Sequence, residues 1–203
     1  MLLTALITAS TSEAASVFEL FFSVNGQEGL DSTFVEPAGA VLPSEIIFRE
    51  TVTDGTGQIT IPGIGFVNAN ITAVGGDGSF STPQVSSALT PIGTADADTL
   101  AGSGFFSGVN PVETSPGVFD AVVGTIDLTA PTFGSTTFTL SDFGGGNDFE
   151  IVGGGGIDDA DVIFRSVTVT TTTAVPEPTS MAALAMLGGT IAIRYRRRRK
   201  TAA

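Results

Sequence analysis

Thr137-Phe138-Thr139-Leu140 alternates polar and apolar residues, and Val167-Thr168-Val169-Thr170 repeats that alternation further along the chain. A period of two is typical of a β-strand that turns one face to a core and the other to solvent. Threonine, valine and phenylalanine are also residues that strands favour. These two segments predict strands and set the interpretation of the residues around them.

Working outward, similar short runs recur between residues 17 and 170, separated by clusters of Gly, Pro, Asn and Asp that are typical of turns. No internal stretch has a helical pattern. The fold class predicted is all-β, an antiparallel β-sandwich of immunoglobulin-like or jelly-roll kind that covers residues 17–170. The predicted strands are Val17–Val24, Ile46–Val52, Gln58–Ile61, Phe66–Ala73, Gln84–Leu89, Val118–Leu128, Ser135–Leu140 and Val162–Thr170.

Phenylalanine is expected to supply most of the bulky core, because the chain has 15 Phe residues and no Trp. Seven of them lie inside the predicted strands. We expect these seven to be core residues: Phe18, Phe22, Phe48, Phe66, Phe119, Phe138 and Phe164.

The charge is distributed very unevenly. Of eight basic residues, six lie between residues 194 and 200, and all 21 acidic residues come before residue 178. Residues 1–193 therefore hold two basic residues against 21 acidic ones, a net charge of −19. Such a body is repelled by phosphate backbones, so no nucleic-acid partner is predicted.

The residue types that most enzymes need are missing. With no His and no Cys, a Ser-His-Asp triad, a thiol nucleophile and a zinc site of the usual kind are excluded. A Ser-Lys pair would depend on Lys200, which lies in the basic terminus. We therefore predict a protein that is not an enzyme, with no catalytic residues and no cofactor. A polysaccharide-acting hydrolase that uses two carboxylates stays an alternative.

Two glycine runs suggest calcium. Gly153-Gly154-Gly155-Gly156-Ile157-Asp158 matches the start of a calcium-binding nonapeptide repeat, whereas the run at 144–148 departs from that pattern. Asp158, Asp159 and Asp161 offer oxygen ligands. Two copies are too few for a β-roll, so we prefer two acidic turns around a short strand, Phe149–Val152, and predict no metal site. A calcium-dependent adhesin is the alternative.

The N-terminus is typical of an export signal. Residues 1–9 are uncharged and mostly apolar, and Ser12 and Ala14 place small residues where a signal peptidase requires them. We expect a signal peptide over residues 1–14, cut after Ala14, although the basic residues that usually precede the apolar run are missing.

The C-terminus has three blocks. Residues 171–180 form a Thr-rich linker followed by an extended motif, whose residues are Val175, Pro176, Glu177 and Pro178. Residues 181–193 are uncharged and predict a short transmembrane helix, below the roughly 20 residues that usually span a bilayer. Residues 194–203 form a basic tail that is expected to stay in the cytoplasm. Its charges are Arg194, Arg196, Arg197, Arg198, Arg199 and Lys200.

This order of blocks resembles the PEP-CTERM sorting signal of exported bacterial proteins. The resemblance covers residues 175–203 and implies recognition by an exosortase, a membrane-embedded processing enzyme, which cuts near Pro176–Pro178. Such proteins tend to occur in bacteria that make exopolysaccharide, a further expected partner. The alternative is a permanently membrane-anchored binding module in which the two prolines form only a linker kink.

Inside the body, Val122–Ala130 followed by Gly134–Leu140 resembles the late strands of cohesin-like sandwiches, which are binding modules on exported proteins. Together these features predict a non-catalytic exported protein of the cell envelope or extracellular matrix. It is anchored in the inner membrane only transiently, through its C-terminal helix.

Overall fold

The structure is a computed structural model that describes residues 16–54, 57–59, 63–92, 97–104, 108–144, 147–153 and 155–172. The described part is all-β, as predicted, with antiparallel sheets and only a 3-10 turn at Asp159–Asp161. The predicted signal peptide (1–14), sorting motif, transmembrane helix (181–193) and basic tail (194–203) lie outside the described residues, so these stay predictions.

Sixteen strands are described. The first eight are β1 (Ser16–Val24), β2 (Gln27–Glu28), β3 (Ser32–Glu36), β4 (Val41–Val52), β5 (Ile64–Gly75), β6 (Ser79–Phe80), β7 (Gln84–Val85) and β8 (Thr90–Pro91). The other eight are β9 (Thr99–Ser103), β10 (Val112–Ser115), β11 (Val118–Thr129), β12 (Ser135–Asp142), β13 (Phe149–Ile151), β14 (Gly156–Ile157), β15 (Val162–Phe164) and β16 (Ser166–Thr171).

The strands form two sheets. Sheet A has the order β10–β11–β4–β1–β15, and β2, β6 and β7 pair along its margins. Sheet B has the order β14–β13–β5–β12–β16–β3, with β9 on β5 and β8 on β9. Buried residues of both sheets belong to one apolar core, an arrangement consistent with a β-sandwich.

Two parallel pairs interrupt the antiparallel pattern, and both involve the end of the body. β15 pairs with β1 in sheet A, whereas β16 pairs with β3 in sheet B. The prediction of one strand over Val162–Thr170 is therefore wrong. The chain changes sheets at Arg165, whose backbone N–H donates to the Leu20 carbonyl at 2.9 Å. The burial pattern shifts by one residue there, from Val162 to Val167 and Val169.

Two other predicted strands are shorter or missing. Gln58 and Ile59 form a bend and not a strand, because their N–H groups donate to the Glu50 carboxylate at 2.6 and 2.9 Å. Residues 60–62 lie outside the described part. Only Gln84–Val85 of the predicted Gln84–Leu89 strand pairs. The chain then turns, with the Leu89 N–H donating to the Ser86 carbonyl.

Phenylalanine is central to the core, as expected. Phe18, Phe22, Phe48 and Phe138 are buried, whereas Phe119 and Phe164 are half-buried against the core. Phe66 is half-buried as well. Two further buried Phe residues lie outside the predicted set: Phe21 and Phe149.

Candidate functional site

The candidate site is an open depression of about 500 Å³ at one end of sheet A. It lies where β1, β4 and β11 run side by side, between the β1–β2 turn and the segment that joins β6 to β7. Its lining residues are Ser23, Asn25, Gly26, Pro43, Ser44, Glu45, Ser81, Gln84, Thr125, Ile126 and Asp127.

Strand register places the polar side chains of the depression. Glu45 of β4 lies opposite Ser23 of β1 on one side and Thr125 of β11 on the other. The next row on the same face holds Pro43 and Asp127. Because successive residues point to opposite faces, the buried residues between them belong to the core while this row faces outward.

Two local structures form the walls. Asn25 and Gly26 have φ values of 51° and 77°, which is the left-handed backbone that a tight hairpin turn between β1 and β2 requires. On the opposite side, Ser81 is held to β11 by two hydrogen bonds. The Ser81 N–H donates to the Asp127 carbonyl at 2.9 Å, and the Asp127 N–H donates to Ser81 Oγ at 3.0 Å.

The depression offers hydroxyl, amide and carboxylate groups. Within the described part of the chain, the carboxylates of Glu45 and Asp127 have no hydrogen-bonded or ion-paired side chain. Such a lining can accept hydrogen bonds from a polyhydroxylated ligand, or face a cation. Sequence reasoning missed this site, because Ser23 and Asp127 lie more than a hundred positions apart in the chain.

Arg49 is held by two carboxylates on the outer face of sheet A. Its Nε and Nη2 lie 2.6 and 2.7 Å from the two oxygens of Asp120, and its Nη2 and Nη1 lie 2.6 and 3.1 Å from those of Glu28. The guanidinium also covers the Phe21 ring, 4.7 Å from its centroid. Hydrogen bonds from Asp120 and Glu28 raise the pKa of Arg49, so its charge is permanent.

Arg165 is held in a similar way at the sheet crossover. Its Nε and Nη2 donate to Glu19 Oε1 at 2.9 and 2.6 Å, and its Nη1 donates to Asp31 at 3.0 Å. Asp31 also accepts hydrogen bonds from the N–H and the hydroxyl of Ser166. Each of the two basic residues before residue 194 is thus shared between two acids, and the surrounding surface is anionic.

These clusters predict how stability depends on pH. The hydrogen bond from Arg49 lowers the pKa of Glu28, and the backbone hydrogen bond from Ser166 lowers that of Asp31. A carboxyl whose folded pKa is lowered contributes stability above its unfolded pKa and loses that contribution as the pH falls through the folded value. We expect the melting temperature to fall steeply below about pH 4, the range of unperturbed carboxyl pKa values.

The measurement is a series of thermal melts followed by circular dichroism between neutral pH and about pH 3. The variant Glu28→Gln should show a shallower acid decrease. A melting temperature that rises steadily into this range would mean that relief of repulsion within the highly acidic body outweighs the ion pairs.

The segment considered for calcium is tied up in its own hydrogen bonds. The Asp148 carboxylate is buried and accepts the Phe143 N–H at 3.0 Å, and its hydrogen bond with Asp142 lowers the pKa of Asp142. Asp158 Oδ1 accepts the Ala160 N–H at 3.0 Å. The side chain of Asp159 is outside the description. Among the described residues, no three acidic side chains are grouped as metal ligands would be. The short strand between the glycine runs is Phe149–Ile151.

The predicted sorting and membrane residues lie outside the described part of the chain. These are Val175, Pro176, Glu177, Pro178, Arg194, Arg196, Arg197, Arg198, Arg199 and Lys200. In the part that is described, no helix has the length and apolar character needed to cross a membrane.

Comparison with known proteins places few constraints on identity. No family model and no curated protein matches the chain. One matching solved structure is the crystal structure of a CaDoc0917–CaCohA2 complex at pH 5.5, which contains a cohesin-like fold. The match has a TM-score of 0.43 and 12% sequence identity, and it covers 76% of this chain and 99% of the other.

Proposed function

We propose that the chain is a non-catalytic exported protein of the cell envelope or extracellular matrix, delivered there by an exosortase-type sorting system linked to exopolysaccharide. The observation that carries this proposal is the order of blocks at the C-terminus. Pro176-Glu177-Pro178 is followed by an uncharged apolar run to Ile193 and then by a basic end. The body acts as a β-sandwich binding or structural module, of immunoglobulin-like or jelly-roll kind.

The chemistry of the body supports a non-catalytic role. The sequence has no His or Cys, and the two arginines of the body are both held in ion pairs. The described depression contains hydroxyls, amides and two carboxylates, a set that suits recognition by hydrogen bonding. The high negative charge also suits a protein that stays soluble outside the cell.

The test is the mass of the mature protein from its native cells, read at both ends. We expect a chain that starts near Ala15 and ends near Pro176–Pro178, because both targeting segments are removed. The variant Glu177→Ala should keep residues 179–203 and accumulate in the membrane fraction, whereas the neighbouring variant Thr179→Ala should be processed normally. A wild-type chain that keeps Met181 to Ala203 in the membrane would instead support the anchored binding module.

A further inference from the structure

The outer face of sheet B carries a continuous array of hydroxyl side chains. Three neighbouring strands, β3, β16 and β12, contribute most of it, and β5 adds the fourth side. We name this array the hydroxyl face, and its members are Thr33, Thr72, Ser135, Thr137, Thr139, Ser141, Ser166, Thr168 and Thr170.

Strand register aligns these side chains in rows. One row runs from Thr33 through Thr168 to Thr137, and the next from Ser166 through Thr139 to Thr72. The apolar residues between them, Phe138 and Val167 for example, are buried, so the hydroxyls share the opposite face. Neighbours lie about 4.8 Å apart across the strands and about 6.7 Å apart along them, a spacing set by sheet geometry.

The array is ordered before any ligand arrives. Thr137 Oγ1 and Thr168 Oγ1 lie 2.9 Å apart and share a hydrogen bond. Threonine is restricted at χ1, so holding these hydroxyls in place costs little additional entropy. Within the described residues, the hydroxyls of Thr139 and Thr170 have no hydrogen-bond partner, and each hydroxyl can donate one hydrogen bond and accept two.

No member of the face is charged, in contrast to the rest of the body. The chain before residue 194 has a net charge of −19, and its only two cations are held by Glu28 and Asp120, or by Glu19 and Asp31. An anionic polymer is repelled by this charge. A cationic partner would be attracted to the carboxylates elsewhere. A second copy of the chain would bring two acidic bodies together across a face that lacks the aromatic residues typical of interface cores.

We propose that the hydroxyl face binds an uncharged polysaccharide, laid flat across β3, β16 and β12 and held by hydroxyl-to-hydroxyl hydrogen bonds. This inference rests on the proposed function, since it assigns a partner and a surface to the exported binding module. An uncharged glycan pays no electrostatic cost in approaching the body, and its repeated hydroxyls match a repeated array. Affinity then depends on many weak contacts acting together.

The experiment uses the full chain in a polyoxyethylene detergent that has no sugar headgroup, with retention measured at high salt. The probes are cellulose, cross-linked dextran and the neutral fraction of the host's exopolysaccharide, with cross-linked alginate as the acidic comparison. We expect retention on at least one neutral probe and none on alginate.

The decisive variant is the double substitution Thr137→Val with Thr168→Val, which keeps shape and strand preference and removes both partners of a shared hydrogen bond. At roughly fivefold per lost hydrogen bond, we expect binding to be about 25-fold weaker. The matched control is Thr125→Val, an equally conservative change in the depression of sheet A, which should bind as the wild type does. The melting temperatures of all variants establish that they fold.

Three results would overturn the proposal. Retention on none of the neutral probes would do so, as would loss of binding in Thr125→Val but not in the double variant, which would move the site to the depression. A double variant that instead converts a dimer to a monomer would assign the face to a second copy of the chain. None of these changes the mass of the mature protein, so the sorting proposal is judged separately.

Discussion

Replacement of Arg49 by methionine is expected to lower the free energy of unfolding by about 3 kcal/mol. Methionine retains much of the apolar stem but leaves Asp120, whose side chain is only 12% exposed, without its partner. An unpaired carboxylate at a half-closed site costs far more than the ion pair itself contributes. The loss of the contact with the Phe21 ring adds to the effect.

Chemical denaturation of the wild type and the variant measures this difference. Arg49→Lys is the first control, because it keeps the charge but cannot form two bidentate pairs, and an intermediate loss is expected. Arg165→Met is the second. The Arg165 side chain is 32% exposed, so its removal should cost about 1 kcal/mol or less. Equal losses for Arg49→Met and Arg165→Met would contradict the importance assigned to burial.

Replacement of Phe48 by alanine should be the most destabilising single change, at about 4 kcal/mol. Phe48 is fully buried in the central strand of sheet A. Its ring lies 5.8 Å from that of Phe18 in the same sheet and 4.9 Å from that of Phe149 in sheet B. Truncation therefore leaves a cavity at the contact between the two sheets, and the surrounding strands can fill it only in part.

Phe133→Ala is the matched control, since the same chemical change is made at a side chain that is 67% exposed. It should alter the free energy of unfolding by less than about 0.5 kcal/mol. Thermal and denaturant unfolding of both variants give the comparison. Similar stability for Phe48→Ala and Phe133→Ala would show that the two sheets do not depend on this contact.

The predicted strands were most accurate where the local pattern was strong. β1, β11 and β12 lie within two residues of their predicted ends, because alternating residues and glycine-rich turns are local signals. Predictions failed where tertiary contacts replaced the local preference. Gln58 and Ile59 bond to a carboxylate in place of a neighbouring strand, and the run from Val162 is divided between two sheets at Arg165.

The short strands at the margins carried little signal. Thr99–Ser103 contains Ala101 and Gly102, small residues that sequence patterns do not associate with strands. It pairs with β5 all the same, because register with a long neighbour satisfies its backbone groups. Phe21 is a similar case. It lies on the outer face of β1, where alternation predicts exposure, and the guanidinium of Arg49 covers it.

By itself, the sequence determined the features that depend on neighbouring residues. These are the all-β class, the phenylalanine core, the missing catalytic residue types and the terminal segments from which a sorting function is proposed. Only the tertiary structure decided which distant residues meet. Arg49 and Asp120 are 71 positions apart and Arg165 and Glu19 are 146 apart, so no local pattern pairs them. The rows of the hydroxyl face likewise depend on strand register, which is set by long-range pairing and by burial of the opposite face.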